Sequence, residues 1–348
     1  MVGVGIVGCG EVSGAKHLPV FARIAGARVT AVCDLEPDRA AAAAARFGVA
    51  HVARSAEELV TRDDVNVVAV LTSPASHAGL AIAALEAGRH VYVEKPLALS
   101  VEECEAMVGA ARRSGCVAVT GFHMRFHRLV REAKEIVCAG RLGAIESIRL
   151  VWHSPRGDAP MPHWKTVRAE GGGALVEIGV HHLDMVRFLL ADEFAEVVAQ
   201  TRDGVREDEC ATIMGRTVGG VLVTGEFSER SPHEIEIVVS GRDALLRVDC
   251  LRFDGLEVRG GREVPGAPSY RLRQLVATAR ALPTGVRLQR RGSDYLGSYE
   301  GIWRHVIECV ERSQAPEVTF EDGLRATQAL QAALKFPLAA SPVGRRVM

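Results

Sequence analysis

The chain has 348 residues, of which 48% are hydrophobic and 24% charged, and its formal net charge is −1. So even a balance argues against nucleic acid or an anionic membrane surface as the main partner. No apolar run approaches the ~20 residues of a membrane span, and the length predicts two domains.

Val2–Val7 reads as a short apolar strand that leads through a glycine-rich turn into a helix reaching about Ile24. The turn is GCGEVSGAKH. Gly8 and Gly10 occupy the first two glycine positions of a GxGxxG fingerprint, followed by Glu11 and Val12, with Ser13 in the third. A dinucleotide pyrophosphate needs a tight turn, a close backbone and free helix N–H groups at this point. Arg28–Asp34 reads as the second strand, ending in the acidic residue that accepts hydrogen bonds from the adenine ribose and repels a 2′-phosphate. NAD is therefore the expected cofactor; Arg39 on the next helix leaves NADP as the less favoured alternative.

Pro37 opens and Gly48 closes an alanine-rich helix over Pro37–Phe47. Ser55 with Glu58 forms a capping-box signature, and Val65–Leu71 has the β-branched character of a central parallel strand. A TSPASH turn, Thr72–His77, precedes a helix over Ser76–Ala87 that Gly88 closes. His90–Val93 is a strand running into Glu94-Lys95-Pro96. Ser100 and Glu103 cap a helix to about Arg113, and Cys116–Thr120 closes the series. This alternation predicts an α/β domain with a doubly wound parallel sheet. A lysine at the end of such a strand, as Lys95 is, lies where these sheets bind ligands.

Ala174–Leu190 predicts a buried helix, since most of its positions are apolar. Glu177, His181, Asp184 and Phe188 fall within roughly 60° of one another on the helical wheel, and His182 points away. A polar stripe on a buried helix has to face a hydrogen-bonding partner, a ligand or a cavity. A structural network bridging Glu177 to His181, a metal site and an acid–base cluster all remain open. The metal reading lacks a second histidine at ligand spacing. The eight cysteines are scattered without a CxxC pair, which predicts reduced thiols and a cytoplasmic setting. The chain enters its first strand with no basic leader, so no signal peptide is expected. The RLQRRG patch near Arg287 reads as a solvated loop or subunit contact.

Taken together, the GxG turn, TSPASH, EKP at Glu94–Pro96, GFHMRF at Gly121–Phe126, GGGALVEIGVHHLD and the late FEDGLRATQALQAAL resemble the Gfo/Idh/MocA oxidoreductases. The resemblance implies a dinucleotide-binding Rossmann domain over 1–121. It implies a substrate-binding and oligomerisation domain over 122–348, an α+β unit with a large open, mostly antiparallel sheet. The segments AIESIRLVW, EVVAQT, ECATIMG, GVLVTGEFS and EIEIVVSG fit successive strands of that sheet. A helix near 321–335 would return toward the first domain. The outer face of the sheet would make a homodimer or homotetramer.

The implied activity is NAD(P)-dependent hydride transfer at a hydroxyl or ketone of a sugar, sugar derivative or cyclitol. The resemblance assigns Lys95 to the substrate hydroxyl, His181 to its proton and Glu177 to a neighbouring hydroxyl. The family usually carries aspartate at the position of Glu177. Arg125, Trp164 and Lys165 fall at positions near the substrate, with His153 and His163 as further lining candidates. Thr72, Ser73, Pro74, His77, Glu94 and Lys95 join the glycine-rich turn and Asp34 on the cofactor side. No metal is expected. The alternatives are a transient-NAD glycoside hydrolase of the same superfamily and a regulator that binds cofactor without turnover.

Overall fold

The computed structural model describes residues 1–157 and 160–335. Positions 336–348 of the expected second domain, and positions 158 and 159 of the loop before Trp164, lie outside the described residues.

The first sheet has six strands: β1 (Val2–Val7), β2 (Ala27–Cys33), β3 (His51–Val52), β4 (Val67–Val70), β5 (His90–Val93) and β6 (Ala118–Thr120). Their order is β3-β2-β1-β4-β5-β6, with every neighbouring pair parallel. β1 and β4 are buried at every position, as valine-rich strands covered on both faces must be. The intervening helices are α1 (Leu18–Phe21), α2 (Pro37–Phe47), α3 (Ala56–Thr61), α4 (His77–Glu86) and α5 (Val101–Ser114). A π-helical turn, Ser13–His17, precedes α1. Ser100 and Glu103 cap α5 reciprocally. At α3 the Ser55 hydroxyl accepts from the Glu58 N–H at 3.2 Å, but the Glu58 carboxylate takes the Arg54 N–H instead of completing the box.

The second sheet is preceded by α6 (Arg128–Cys138). Its first strand, β7 (Ile145–His153), is followed by a π-helical turn at Leu175–Gly179 that continues into α7 (Val180–Leu190). The remaining strands are β8 (Phe194–Arg202), β9 (Cys210–Thr217), β10 (Leu222–Ser228), β11 (Glu234–Gly241), β12 (Ala244–Asp249) and β13 (Leu256–Gly260). The order is β13-β12-β11-β7-β10-β9-β8. β7 and β10 are parallel and the other neighbours antiparallel. Ile213, Val223, Phe227, Ile237 and Leu246 on one face pack against Leu129 and Ile136 of α6 and Leu183 and Val186 of α7. The architecture is the expected α/β pairing of a parallel sheet with a mostly antiparallel one. β12 and β13 extend the second sheet beyond the anticipated strands.

Three helices complete the described chain: α8 (Pro268–Arg291), α9 (Ser293–Arg312) and α10 (Phe320–Lys335). The arginine patch near Arg287 is therefore not a loop; it forms the last turns of α8, which continues through Pro283 and stops at Gly292 with φ +91°. Tyr299, Ile302, Trp303 and Val306 of α9 pack with Val4 and Ile6 of β1 in one core. α10 lies against α5 and α7, and the Thr120 hydroxyl donates to the Thr319 carbonyl at its start at 2.9 Å. Among the described residues no helix is long and apolar enough to cross a membrane.

Candidate active site

The glycine-rich turn is tight and leaves open space at the start of the helix. Gly8 has φ +99°, and a Cβ there would stand 2.7 Å from the Leu71 carbonyl, so both conformation and space demand glycine. A Cβ at Gly10 would meet nothing within 4 Å, which leaves open space beside the start of the helix. Glu11 is exposed, Val12 half-buried and Ser13 fully buried, which lets the helix pack closely on the sheet. Asp34 accepts the Cys9 N–H at 2.7 Å and the Glu36 N–H at 2.9 Å, one on each carboxylate oxygen. Each oxygen retains a lone pair for a ribose hydroxyl. The Arg39 guanidinium stands 3.9 Å from Asp34 and 2.9 Å from Glu36. These residues fit an adenine dinucleotide.

The turn after β4 is internally bonded. The Ser76 hydroxyl donates to the Thr72 hydroxyl at 2.7 Å and reaches the Ser73 carbonyl at 3.0 Å. Pro74 is buried, and a Cβ at Gly171 (φ +103°) would approach its ring to 2.8 Å. The glycine triplet thus brings the second half of the chain down onto this turn. His77 is buried beneath it, with Nδ1 3.0 Å from the Pro96 carbonyl and Nε2 3.1 Å from the Thr72 carbonyl. It therefore ties the turn after β4 to the turn after β5.

Glu94 is buried, and its partners are internal. Its carboxylate meets His17 Nε2 at 3.0 Å and accepts from the Tyr92 hydroxyl at 3.1 Å. The Trp303 indole donates to His17 Nδ1 at 2.9 Å, so the aromatic cover from α9 completes the chain of contacts. Burial alone would raise the Glu94 carboxyl, but His17, Lys95 and His123 outweigh it and hold it down to about 2. The anion stays fixed behind Lys95. His17 carries no motif signal beyond its place in the turn sequence.

The ammonium of Lys95 donates to the backbone carbonyl of Glu177 at 2.6 Å, joining the end of β5 to the π-helical turn. Burial lowers the Lys95 amine, against the pull of Glu177 and Glu94. The Glu177 carboxylate is gripped by Lys165 at 2.8 Å and by Arg156 at 3.0 Å. Burial would raise this carboxyl; Lys165, Arg156 and Lys95 together hold it low. Arg156 also stands 3.8 Å from Glu229, which Arg206 meets at 2.9 Å. Burial and the neighbouring Glu177 push the Glu229 carboxyl up to about 7. Arg156 was visible only as part of the loop sequence, and Glu229 and Arg206 had no sequence signal at all.

His181 lies one turn beyond Glu177 in an aromatic setting. Its ring stacks on Trp152 at 5.4 Å between centroids and meets His123 edge-on at 5.0 Å. Burial, then the charge of Lys95, drives its pKa well below the ordinary histidine value. The imidazole is therefore neutral, the form that accepts a proton. Its Nδ1 is buried without a hydrogen-bond partner among the described residues. Of the readings left open, the Glu177–His181 bridge is not found among the described residues, since Glu177 turns to Lys165 and Arg156.

The rest of the stripe has other partners. Asp184 is paired with Arg125, which also meets Asp322 at 2.9 Å and the Glu317 carbonyl at 3.2 Å. Arg125 thus spends its donors joining α7 to α10. Lys165 is buried and joins Glu177, with Trp164 beside it at 5.2 Å from ammonium to ring. His153 pairs with Glu234 at 3.4 Å, and His163 is 80% exposed next to Glu170. Among the described residues no group of three or more His, Cys, Asp or Glu is placed to hold a metal ion, and all eight cysteines are free.

Comparison with known proteins adds independent information. A model described as "Oxidoreductase family, NAD-binding Rossmann fold" matches residues 2–122, and one described as "GFO/IDH/MocA C-terminal domain" matches 130–247. A 1,5-anhydro-D-fructose reductase of Ensifer adhaerens is 37% identical over 324 residues, covering 87% of this chain and 94% of its own. A myo-inositol 2-dehydrogenase of Thermotoga maritima is 28% identical over 335 residues, covering 92% and 91%. The crystal structure of an oxidoreductase domain protein from Kribbella flavida superimposes with a TM-score of 0.79 at 25% identity, covering 95% of this chain and 96% of that one.

Proposed function

Because this chain belongs to the Gfo/Idh/MocA oxidoreductases, we propose that it moves a hydride between NAD and a hydroxyl-bearing or keto carbon of a sugar, sugar derivative or cyclitol. The observation that carries the reading is the contact of Lys95 with the backbone of Glu177, one helical turn before a buried neutral His181. It sets a cation, an ionised carboxylate and a proton acceptor beside the ends of the strands that open on the cofactor turn. We assign residues 1–121 to cofactor binding and residues 122 onward to substrate binding.

Bound nicotinamide supplies the hydride acceptor or donor. The ammonium of Lys95 stabilises negative charge that develops on the reacting oxygen. His181 takes the hydroxyl proton in oxidation and returns it in reduction. Glu177, held by Lys165 and Arg156, orients a neighbouring hydroxyl, and the face of Trp164 offers a surface for the sugar ring. A panel of anhydro-ketoses, aldoses and inositols, followed by NADH absorbance with product chromatography, tests the reading. Turnover of at least one cyclic polyol or keto sugar is expected. Glycoside cleavage without net NADH, or cofactor binding with no turnover on any polyol, would replace it.

The cofactor preference follows from Asp34. Its carboxylate favours ribose hydroxyls over a 2′-phosphate, so NAD should bind more tightly than NADP in a titration of both. Asp34→Ser removes the repulsion, leaves Arg39 in place and should narrow the gap by about tenfold or more, the scale of one charged hydrogen bond. Tighter NADP binding by the unaltered protein would contradict the assignment.

A further inference from the structure

We propose that Glu229 is a positioning residue of this site: its carboxyl keeps a proton and donates it to Glu177, which fixes Glu177 between Lys165 and Arg156. The proposal deepens, and rests on, the reading of Glu177 as the carboxylate that orients a substrate hydroxyl.

Glu229 follows β10 and is only 1% exposed. Its backbone is pinned on both sides, its N–H donating to the Glu209 carbonyl at 3.0 Å and its carbonyl accepting the Arg156 N–H at 3.1 Å. One carboxyl oxygen, Oε2, accepts from Arg206 at 2.9 Å. The other, Oε1, is buried and has no hydrogen-bond partner among the described residues. Arg156 Nη1 lies 3.8 Å from it, and that same nitrogen lies 3.0 Å from Glu177 Oε2. Two carboxyl groups therefore converge on one guanidinium nitrogen.

Two ionised carboxylates so placed repel each other, and one proton between them removes both the repulsion and the orphaned oxygen. The surroundings decide which group carries it. Glu177 has Lys165 and Arg156 in direct contact and Lys95 on its carbonyl. Glu229 has Arg206, and Arg206 is also 3.7 Å from Glu209, which Arg230 meets at 3.8 Å. The larger share of positive charge falls to Glu177, so Glu177 stays ionised and Glu229 carries the proton. Burial and the neighbouring Glu177 raise the Glu229 carboxyl to about 7, in the same direction. The two groups titrate as a pair. As pH rises through neutrality the proton leaves, Arg156 is divided between two anions, and Glu177 loses its fixed orientation.

The proposal predicts a split between binding and chemistry. In the parent protein KM for the polyol should rise about tenfold above neutral pH, the scale of one charge-assisted hydrogen bond, with kcat little changed over the same step. Glu229→Gln keeps a planar donor at all pH values and should hold KM at its low-pH level. Glu229→Ala should raise KM at every pH. Infrared difference spectra across pH 6 to 8.5 supply a readout that needs no turnover. A protonated carboxyl band should disappear with rising pH in the parent and be missing from Glu229→Gln. No titrating band, or a Glu229→Gln enzyme whose KM follows pH as the parent's does, overturns the proposal. A band lost in Glu229→Gln from a protein that turns over no polyol supports the shared proton and counts instead against the reading of the site.

Discussion

Replacing His181 by alanine is expected to lower turnover at least ~10²-fold, the usual scale for removing a positioned acid–base group, while NAD affinity stays near that of the parent. The proposed cofactor contacts run through Gly8, Gly10 and Asp34, at the ends of β1 and β2. Lys95→Ala should lose as much, because the ammonium that stabilises the reacting oxygen is gone. It also releases the Glu177 carbonyl, so its KM should rise as well. The two losses should be strongly non-additive, since both residues act on one hydroxyl. Steady-state kinetics on a confirmed substrate, with NAD binding followed by calorimetry, separates the effects. A His181→Ala enzyme within a few-fold of the parent would return this imidazole to aromatic packing between Trp152 and His123. The proton acceptor would then have to be sought at Lys165 or His153.

The largest loss of stability is expected at Asp184. Its carboxylate is 1% exposed and is engaged by Arg125, itself 7% exposed, with Arg187 at 3.5 Å. Burial raises the Asp184 carboxyl and the arginines oppose it. Asp184→Ala leaves the Arg125 guanidinium buried with only Asp322 to balance it. Breaking a buried pair in this way costs roughly 3–5 kcal/mol, and the remaining Asp322 contact places the loss toward the lower end. Asp184→Asn keeps an acceptor and should lose less. Equilibrium denaturation should show a lower midpoint with an unchanged slope. A midpoint equal to the parent's would mean that this cluster is not needed to hold α7 against α10.

The first half of the fold was legible because each signal was local. His90–Val93 is a strand with the bounds its apolar run predicted, and the Ser100–Glu103 box caps α5 with both hydrogen bonds. α8 was hidden for the opposite reason: a helix that runs through Pro283 and ends in arginines offers the cues of a loop. The stripe was half legible. A regular wheel aligned Glu177, His181 and Asp184, but the turn at Leu175–Gly179 is π-helical and breaks that phase. Glu177 then faces Lys165 and Arg156, while Asp184 faces Arg125. The partners that decide these roles lie far away in the chain. Arg125 is matched by residues 184 and 322, and Glu177 by residues 156 and 165. Spacing along the sequence carries no trace of such pairings.

The cover that α9 lays over β1 has a bearing on how the molecule is made. Synthesis delivers the six parallel strands long before Tyr299, Ile302 and Trp303, which complete their core, and before Phe320, which packs on the other side of the same sheet. Until those residues leave the ribosome, Val4 and Ile6 have an unfinished flank. Exposed apolar surface of that kind invites association with other chains. The nucleotide-binding half therefore depends on the end of the chain to complete its core. A gene cut after residue 121 would encode all six strands of the sheet but not the wall that shields them.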